Sequence, residues 1–488
     1  MSDKTFYLTT TLPYVNANLH MGHALEFVRA DVIARYKKLN NFDVYFNTGT
    51  DEHGMKIYEK AQSKDLTAQE FVDQSFVNFR ESVNIFGLSN DIHFIRTTDK
   101  RHEKIAQSFW MKCLENGYIY KKNYQTKYCV GCESEKSDSE LANGECPDHP
   151  GRPLEAIEEE NYFFKYSEFT DKLTEFYNSN PNFVIPDFRY NEIKAFVARG
   201  LQDFSISRLK TKMPWGIPVP NDDDHVMYVW FDALTNYIST LAGDGVDTLD
   251  ALVSSEKFQK YWVNGTPTQY CGKDNLRFQS AMWQAMLMAA GVPNSKQIII
   301  NGFITADGGL KMSKTLGNVV DPKEIVDEYG TDALRYFLLR EVSSFEDSPF
   351  TIDRFKDAYN SGLANGLGNL SSRLLTLSEK YLDKCPDIPE RTDFSEYFSL
   401  YESFDIKKAV DSIWDKIQEL DKKIQTTEPF KVVKTDPEKG KQLISEMILE
   451  LYTIARMLNP IMPETNVKLK VLIKENKKPE VPLFLRKD

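Results

Sequence analysis

Long apolar runs are missing from this chain. Across 488 residues no stretch approaches the ~20 consecutive apolar residues that a membrane-spanning helix needs, so a membrane protein is not expected. Cysteine is scarce: of six, Cys113, Cys271 and Cys385 stand singly, which argues against a disulfide framework and for a reducing compartment. An excess of positive charge is lacking too. Sixty basic against seventy-two acidic residues leave a net charge of −12, so global charge excludes a basic nucleic-acid binder and any RNA contact must rest on local patches. One such patch lies near the end of the chain, where Lys468, Lys470, Lys474, Lys477, Lys478, Arg486 and Lys487 outnumber the acids. There is no internal repeat and no low-complexity segment. Met1-Ser2-Asp3-Lys4 leads directly into a strand-like run without the marks of a signal peptide. The expectation is a cytoplasmic enzyme of about three domains.

What is present is chemistry at fixed spacings. His20 and His23 follow the apolar run Phe6-Tyr7-Leu8 and precede Leu25, Val28, Val32, Tyr36 and Leu39, which recur at helical spacing. The pattern predicts strand, turn, helix. Both imidazoles then share one face of a helix N-terminus, where unpaired N–H groups and the macrodipole favour anions, and Gly22 lets a flat ligand approach the backbone. Far downstream, Lys311 and Lys314 sit three apart in the glycine-flanked segment 308–317, a loop able to bring cations to the same ligand. Either pair alone is an ordinary surface feature; in this order and context they point to ATP phosphates.

A second motif is local. Cys129-x2-Cys132, thirteen intervening residues, then Cys146-x2-His149 is the spacing of two knuckles folded around one tetrahedral ion. Three thiolates and an imidazole suit Zn²⁺. With all four positions filled by protein, the site is expected to be structural; paired disulfides are the alternative, and a reducing compartment weighs against them.

Along the chain, residues 1–117 alternate strand-like and helical stretches, as half of a doubly wound sheet does. Residues 118–225 break that rhythm and hold the cysteine cluster. It resumes over 226–320, whose apolar run Gln297-Ile298-Ile299-Ile300-Asn301 leads into the lysine loop. A linking helical segment is expected over 321–350 and an α-helical domain over 351–488, with amphipathic helices over 363–381, 405–424 and 440–458.

The two paired signatures, together with the insertion and the helical end, resemble class I aminoacyl-tRNA synthetases over nearly the whole chain. Leu12-Pro13-Tyr14-Val15-Asn16, Gly49-Thr50-Asp51-Glu52-His53-Gly54, Tyr228-Val229-Trp230-Phe231-Asp232-Ala233-Leu234 and Gly272-Lys273-Asp274 are similar to the methionyl branch, in its bacterial form with a single zinc knuckle. The resemblance implies an α/β fold: a Rossmann-like catalytic domain, an inserted zinc-bearing connective domain and a C-terminal helical anticodon-binding domain. It implies activation of L-methionine by ATP, with Mg²⁺ on the triphosphate, and transfer to the 3′-terminal adenosine of tRNA(Met), the initiator included. His20, His23, Lys311 and Lys314 are then the catalytic contacts. ATP is expected on these together with Gly22, Gly272, Asp274 and Arg208. Methionine is expected on Leu12, Tyr14, Asp51, Trp230, Ala233, Tyr237, Phe278 and Gln279, with Asp51 receiving the ammonium and the aromatics packing on the thioether. Asn369 and Arg373, four apart on one helix face, and Phe430 match the anticodon readers.

Three positions depart from the family pattern. Gln279 stands where histidine is common, Phe430 where tryptophan is, and Thr315 ends the lysine signature in place of serine. Leucyl, isoleucyl and valyl enzymes carry an editing insertion for which this chain has no room, and cysteinyl enzymes a zinc-binding cysteine ahead of the histidines that is absent here. A small nucleotidyltransferase would lack the lysine loop and helical end; a non-catalytic paralogue would not need all four signature residues. A monomer is expected.

Overall fold

The computed structural model describes residues 4–132, 134–136, 141–306, 308, 320–389 and 393–487. The chain divides into two compact units: Met1–Asn18, Asn41–Ser82 and Asp91–Ile300 form one, and Leu19–Asn40, Val83–Asn90 and Asn301–Asp488 the other.

The first unit is built on a six-stranded parallel sheet. Its strands are β1 (Thr5–Thr10), β2 (Asp43–Thr50), β3 (His93–Arg96), β4 (Val184–Ile185), β5 (Pro267–Gly272) and β6 (Gln297–Asn301), laid out β3-β2-β1-β5-β6-β4. Strands β1, β5 and β6 are buried along nearly their whole length, as expected of a parallel sheet covered on both faces. That double burial shows in the apolar Phe6-Tyr7-Leu8 of β1 and Ile298-Ile299-Ile300 of β6, whereas β5 buries the polar Thr268 and Gln269 as well. Sequence order runs outward from β1 in one direction through β2 and β3, and the later strands lie on its other side. The sheet therefore reverses between β1 and β5, and at such a switch point the loops leaving the C-terminal ends of the strands splay apart to leave a crevice.

The insertion is a separate layer. Ile119–Cys129 pairs antiparallel with Glu155–Phe164 from Ile119↔Phe164 to Tyr128↔Glu155, and Ser134–Lys136 and Phe204–Ser205 complete a four-stranded sheet. This long ribbon carries the cysteine cluster at its far end.

The second unit is helical. Its first helix, α1 (Met21–Leu39), is followed after the first unit's segments by α2 (Pro322–Tyr329), α3 (Asn369–Tyr381), α4 (Ile406–Thr427), α5 (Pro437–Met457) and α6 (Pro463–Glu475). In α4, Ile406, Val410, Ile413, Ile417, Leu420 and Ile424 are all buried, one apolar stripe at alternating steps of four and three. Pro437 occupies the first turn of α5, where its missing N–H costs nothing, and Asp436 caps it by accepting from the Lys439 N–H at 3.2 Å. The helix expected over 363–381 divides: residues Tyr359–Gly368 form wider π turns ahead of α3.

Helix α1 is buried on nearly all sides, polar residues included. The Arg29 guanidinium donates to the carbonyls of Val342, Ser343 and Ser344 at 3.0, 2.7 and 2.9 Å. Asp31 accepts from Arg335 at 2.9 Å, from Arg35 at 2.7 Å and from the Ser89 N–H and hydroxyl. Burial by itself would raise the Asp31 carboxyl, but Arg335 and Arg35 outweigh it and hold the group below the usual carboxylate range. No helix among the described residues is long and apolar enough to cross a membrane.

Candidate active site and metal centre

At the switch point, the loops leaving β1 and β2 are stitched together: Asp51 N–H donates to the Pro13 carbonyl at 3.0 Å and Val15 N–H to the Asp51 carbonyl at 3.3 Å. Tyr14 and Asp51 form an isolated parallel bridge, with Asp51 buried. Glu52, next in line, is held by Arg96 at 2.8 and 3.0 Å. The structure thus brings Tyr14 and Asp51 together beside the end of β1. Across the reversal, Gly272 closes β5 and Asp274 stands exposed in the single turn that follows, at the edge where a ribose hydroxyl is received in sheets of this type.

Trp230, Ala233 and Tyr237 occupy one face of consecutive helical turns, Val229–Leu234 and Asn236–Ser239. The Trp230 ring lies flat on Phe278, centroids 3.9 Å apart and planes within 5°. Its indole N–H is buried with no acceptor among the described residues, and a buried donor left in that state is costly unless a ligand meets it. Gln279 is fully buried and donates to the Tyr237 hydroxyl.

Underneath, a cluster that sequence reasoning missed fixes this helix. The Asp232 carboxylate lies 3.1 Å from His53 Nδ1 and 3.6 Å from His102 Nε2, and His102 Nδ1 is 2.8 Å from the Ser239 hydroxyl. All of these side chains are buried. Burial raises the Asp232 carboxyl, and the two imidazoles more than offset that, leaving it below its ordinary value. His53 and Asp232 both lie within the family-like motifs, so proximity to Asp51 and Trp230 was the available signal.

The histidine pair caps α1. His20 Nδ1 accepts from the Gly22 N–H at 3.1 Å, His23 Nδ1 accepts from the His20 N–H at 3.2 Å, and the two rings stack at 3.8 Å. An accepting Nδ1 places the proton of a neutral imidazole on Nε2. Both rings therefore present N–H donors at the positive end of a 19-residue helix, the arrangement that favours phosphate. Gly22 has a second reason to be glycine: a Cβ there would lie 2.9 Å from the His20 ring. Lys311 and Lys314 lie outside the described residues.

Arg208 turns back on its own segment. Its guanidinium donates to the Ser205 hydroxyl and the Ser207 carbonyl, both at 2.7 Å, and lies 4.7 Å from the Tyr228 ring. In the helical unit, Asn369 is exposed at the start of α3, and Arg373 one turn on pairs with Asp421 at 2.7 Å. Phe430 is 37% exposed, an outward aromatic in the first turn of Pro429–Thr435 and not a core residue.

At the end of the inserted ribbon, Cys129, Cys132, Cys146 and His149 converge, their ligand atoms all within 4.8 Å of one another. Cys132 Sγ lies 3.4 Å from Cys146 Sγ and 3.2 Å from His149 Nδ1, which is 3.8 Å from Cys129 Sγ. The sulfurs are too far apart for a disulfide, and the thiols are free. Around a metal with bonds of ~2.3 Å, tetrahedral donors stand roughly 3.8 Å apart, so the donor set fits an ion that it can enclose. Gly131 completes the fit, since a Cβ would lie 2.5 Å from the His149 ring. Expected outcome: Cys129→Ser or Cys146→Ser loses the bound metal together with the fold of the ribbon's end, checked by metal analysis and by proteolysis of the insertion. Native protein that purifies without metal and with paired thiols would end this reading.

Comparison with known proteins agrees with this geometry. The family model "tRNA synthetases class I (M)" matches residues 6–152 and 149–375. The methionine–tRNA ligase of Caldanaerobacter subterraneus subsp. tengcongensis is 41% identical over 96% of this chain and 73% of its own length, and that of Rickettsia conorii 40% over 96% and 92%. A methionyl-tRNA synthetase of Mycobacterium tuberculosis, solved in complex with methionyl-adenylate, superposes with a TM-score of 0.88 at 34% identity, covering 96% of this chain and 93% of that one. A second structure of that protein bound to methionyl-adenylate gives 0.89 at 32%, covering 99% and 100%. On these matches, which run along nearly the whole chain, this chain belongs to the methionine–tRNA ligases of the class I tRNA synthetases.

Proposed function

We propose that the chain joins methionine to tRNA(Met), initiator included, in two steps. The observation that carries this is the flat stack of Trp230 on Phe278, an apolar wall suited to a thioether, within a chain of the methionine-specific family. In the first step a methionine carboxylate oxygen attacks the α-phosphorus of ATP; the bond to the bridging oxygen breaks, pyrophosphate leaves and methionyl-adenylate forms. No enzyme nucleophile is needed, and the barrier falls through positioning and through donors that meet charge growing on the phosphates. His20 and His23 supply two such donors through Nε2, and Lys311 and Lys314 supply cations. Gly22, Gly272 and Asp274 hold the nucleoside, with Arg208 a further contact once released from Ser205. Asp51 receives the ammonium, while Leu12, Tyr14, Trp230, Ala233, Tyr237, Phe278 and Gln279 enclose the side chain. Mg²⁺ bound to the triphosphate would neutralise part of its charge. In the second step the 2′-hydroxyl of the terminal adenosine attacks the aminoacyl carbonyl and AMP leaves. The four-residue metal centre holds zinc in a structural role. We place the enzyme in the cytoplasm as a monomer.

Anticodon reading falls to Asn369, Arg373 and Phe430. An exposed aromatic offers a stacking face worth ~1–3 kcal/mol per base, and Arg373 would exchange Asp421 for RNA. Two assays separate the sites. Trp230→Ala is expected to damage methionine-dependent ATP–pyrophosphate exchange without tRNA, whereas Arg373→Ala and Phe430→Ala should leave exchange intact and impair charging. If charging survives both helical-unit substitutions, the anticodon assignment is wrong. If exchange screened over all twenty amino acids does not prefer methionine, the substrate assignment is wrong.

A further inference from the structure

A cavity of about 470 Å³ opens against the sheet of the first unit, walled by β2, by β3, by the first turn of the helix Lys100–Glu115 and by residues 239–242. Small-molecule sites commonly span ~300–1,000 Å³. None of the residues assigned to ATP or to methionine lines this one. Lys257 does, and it is a half-buried cation with only neutral partners. Its ammonium donates to the Tyr45 hydroxyl at 2.8 Å and to the Thr240 carbonyl at 3.2 Å, and stands 4.3 Å from the centre of the Tyr45 ring. No carboxylate among the described residues pairs with it. The charge that Lys257 feels is a second cation: burial first, and then the Arg101 guanidinium, push its ammonium down to about 8. Buried charges are ordinarily paired, so two cations that face one cavity and repel each other are both stabilised by an anion that meets them there.

The rest of the wall says which anion. Arg101 donates to the Ala242 carbonyl at 3.3 Å and to Asp244 at 2.6 Å. The Asp244 carboxylate is wholly exposed, and a pair held in water is readily exchanged for a better one. Asp99 is the one carboxylate of the lining. It accepts from the Arg96 N–H at 3.1 Å and does not cap the helix that follows, so the first-turn N–H groups of a 16-residue helix border the cavity without a side-chain partner. A guanidinium fork, an ammonium and helix-terminal amides form a donor set that suits the oxygens of a phosphoryl group. Tyr45 and His93, stacked with centroids 3.8 Å apart and planes within 10°, give the cavity an aromatic side for an organic portion, and its volume exceeds what inorganic phosphate would fill. We propose that this cavity binds a small phosphomonoester through Lys257 and Arg101, as a ligand site distinct from those of ATP and methionine.

The experiment reads the site at a single residue. The full chain is acetylated briefly with acetic anhydride, and labelling of each lysine is quantified by mass spectrometry with no addition, with ribose 5-phosphate and with inorganic phosphate. An amine held by phosphoryl oxygens does not react. With ribose 5-phosphate at about ten times its dissociation constant, labelling of Lys257 should fall roughly tenfold, because only the unliganded fraction reacts. The exposed Lys468 serves as the unprotected reference. Arg101→Gln should abolish the protection, and Lys257→Met should remove one binding event from a calorimetric titration with ribose 5-phosphate. Both variants should keep methionine-dependent ATP–pyrophosphate exchange, which shows that they are folded, and the wild-type labelling stands as a test without either of them. Lys257 labelled equally with and without both probes overturns the site. Protection by inorganic phosphate but not by ribose 5-phosphate overturns the phosphomonoester. Protection that survives in Arg101→Gln overturns the pairing of Lys257 with Arg101.

Discussion

Replacing His23 by alanine is expected to slow methionyl-adenylate formation by about 10²–10³-fold, the usual consequence of removing one preorganised donor from a site of developing charge. Methionine affinity measured without ATP should hardly change. The side chain also accepts the His20 N–H at the start of α1, and losing such a cap costs about 1 kcal/mol. That is small against a total of roughly 5–15 kcal/mol, and Arg29 and Asp31 continue to hold the helix, so the variant stays folded and the kinetic loss is interpretable. Exchange at a near-normal rate would remove the histidines from the mechanism.

Arg335→Met should destabilise the helical unit by about 3 kcal/mol, because it breaks a buried ion pair and leaves the Asp31 carboxylate with only the partly exposed Arg35 as a charge partner beside Ser89. The pH dependence gives a second check. The Asp31 carboxyl is held below its ordinary value in the folded protein, so the stability it contributes is fully present above the unfolded carboxylate pKa of about 3.9 and is lost as pH falls through the lower folded value. The gap in urea midpoint between wild type and Arg335→Met should be widest near neutrality and should narrow as Asp31 is protonated in acid. A gap independent of pH would mean that Arg335 acts through packing and through its hydrogen bonds to the Phe86, Gly87, Pro460 and Ile461 carbonyls, and not through Asp31.

Local periodicity made much of this molecule legible. The stripe of Ile406, Val410, Ile413 and Ile417 marked α4, the uninterrupted Ile298-Ile299-Ile300 marked a strand covered on both faces, and the two knuckles were readable because their four donors fall within 21 residues of chain. The capped histidine helix was legible for the same reason. Choices of distant partner were not. Nothing near Asp31 announces Arg335, 304 residues away, and nothing in the spacing of the polar residues inside α1 marks the burial that the structure shows. The buried hydrogen bonds that join Gln269 to Gln279 and Ser295 to Gln269 and Gln284 were invisible because these residues resemble an ordinary scatter of polar positions that only the fold brings together. His53 and Asp232 lie within recognisable motifs, yet their pairing joins residues 179 positions apart in the chain.

The anchoring of α1 also bears on the order in which the protein comes into being. A ribosome delivers Asp31 early, but Arg335 emerges 304 residues later, and at about 5–20 residues per second that is a wait of roughly 15–60 s. During that time Arg29 lacks the carbonyls of Val342, Ser343 and Ser344, and the helix that displays His20 and His23 has no settled home. The contacts that anchor the histidine-bearing helix are thus completed only after residue 344 has been made.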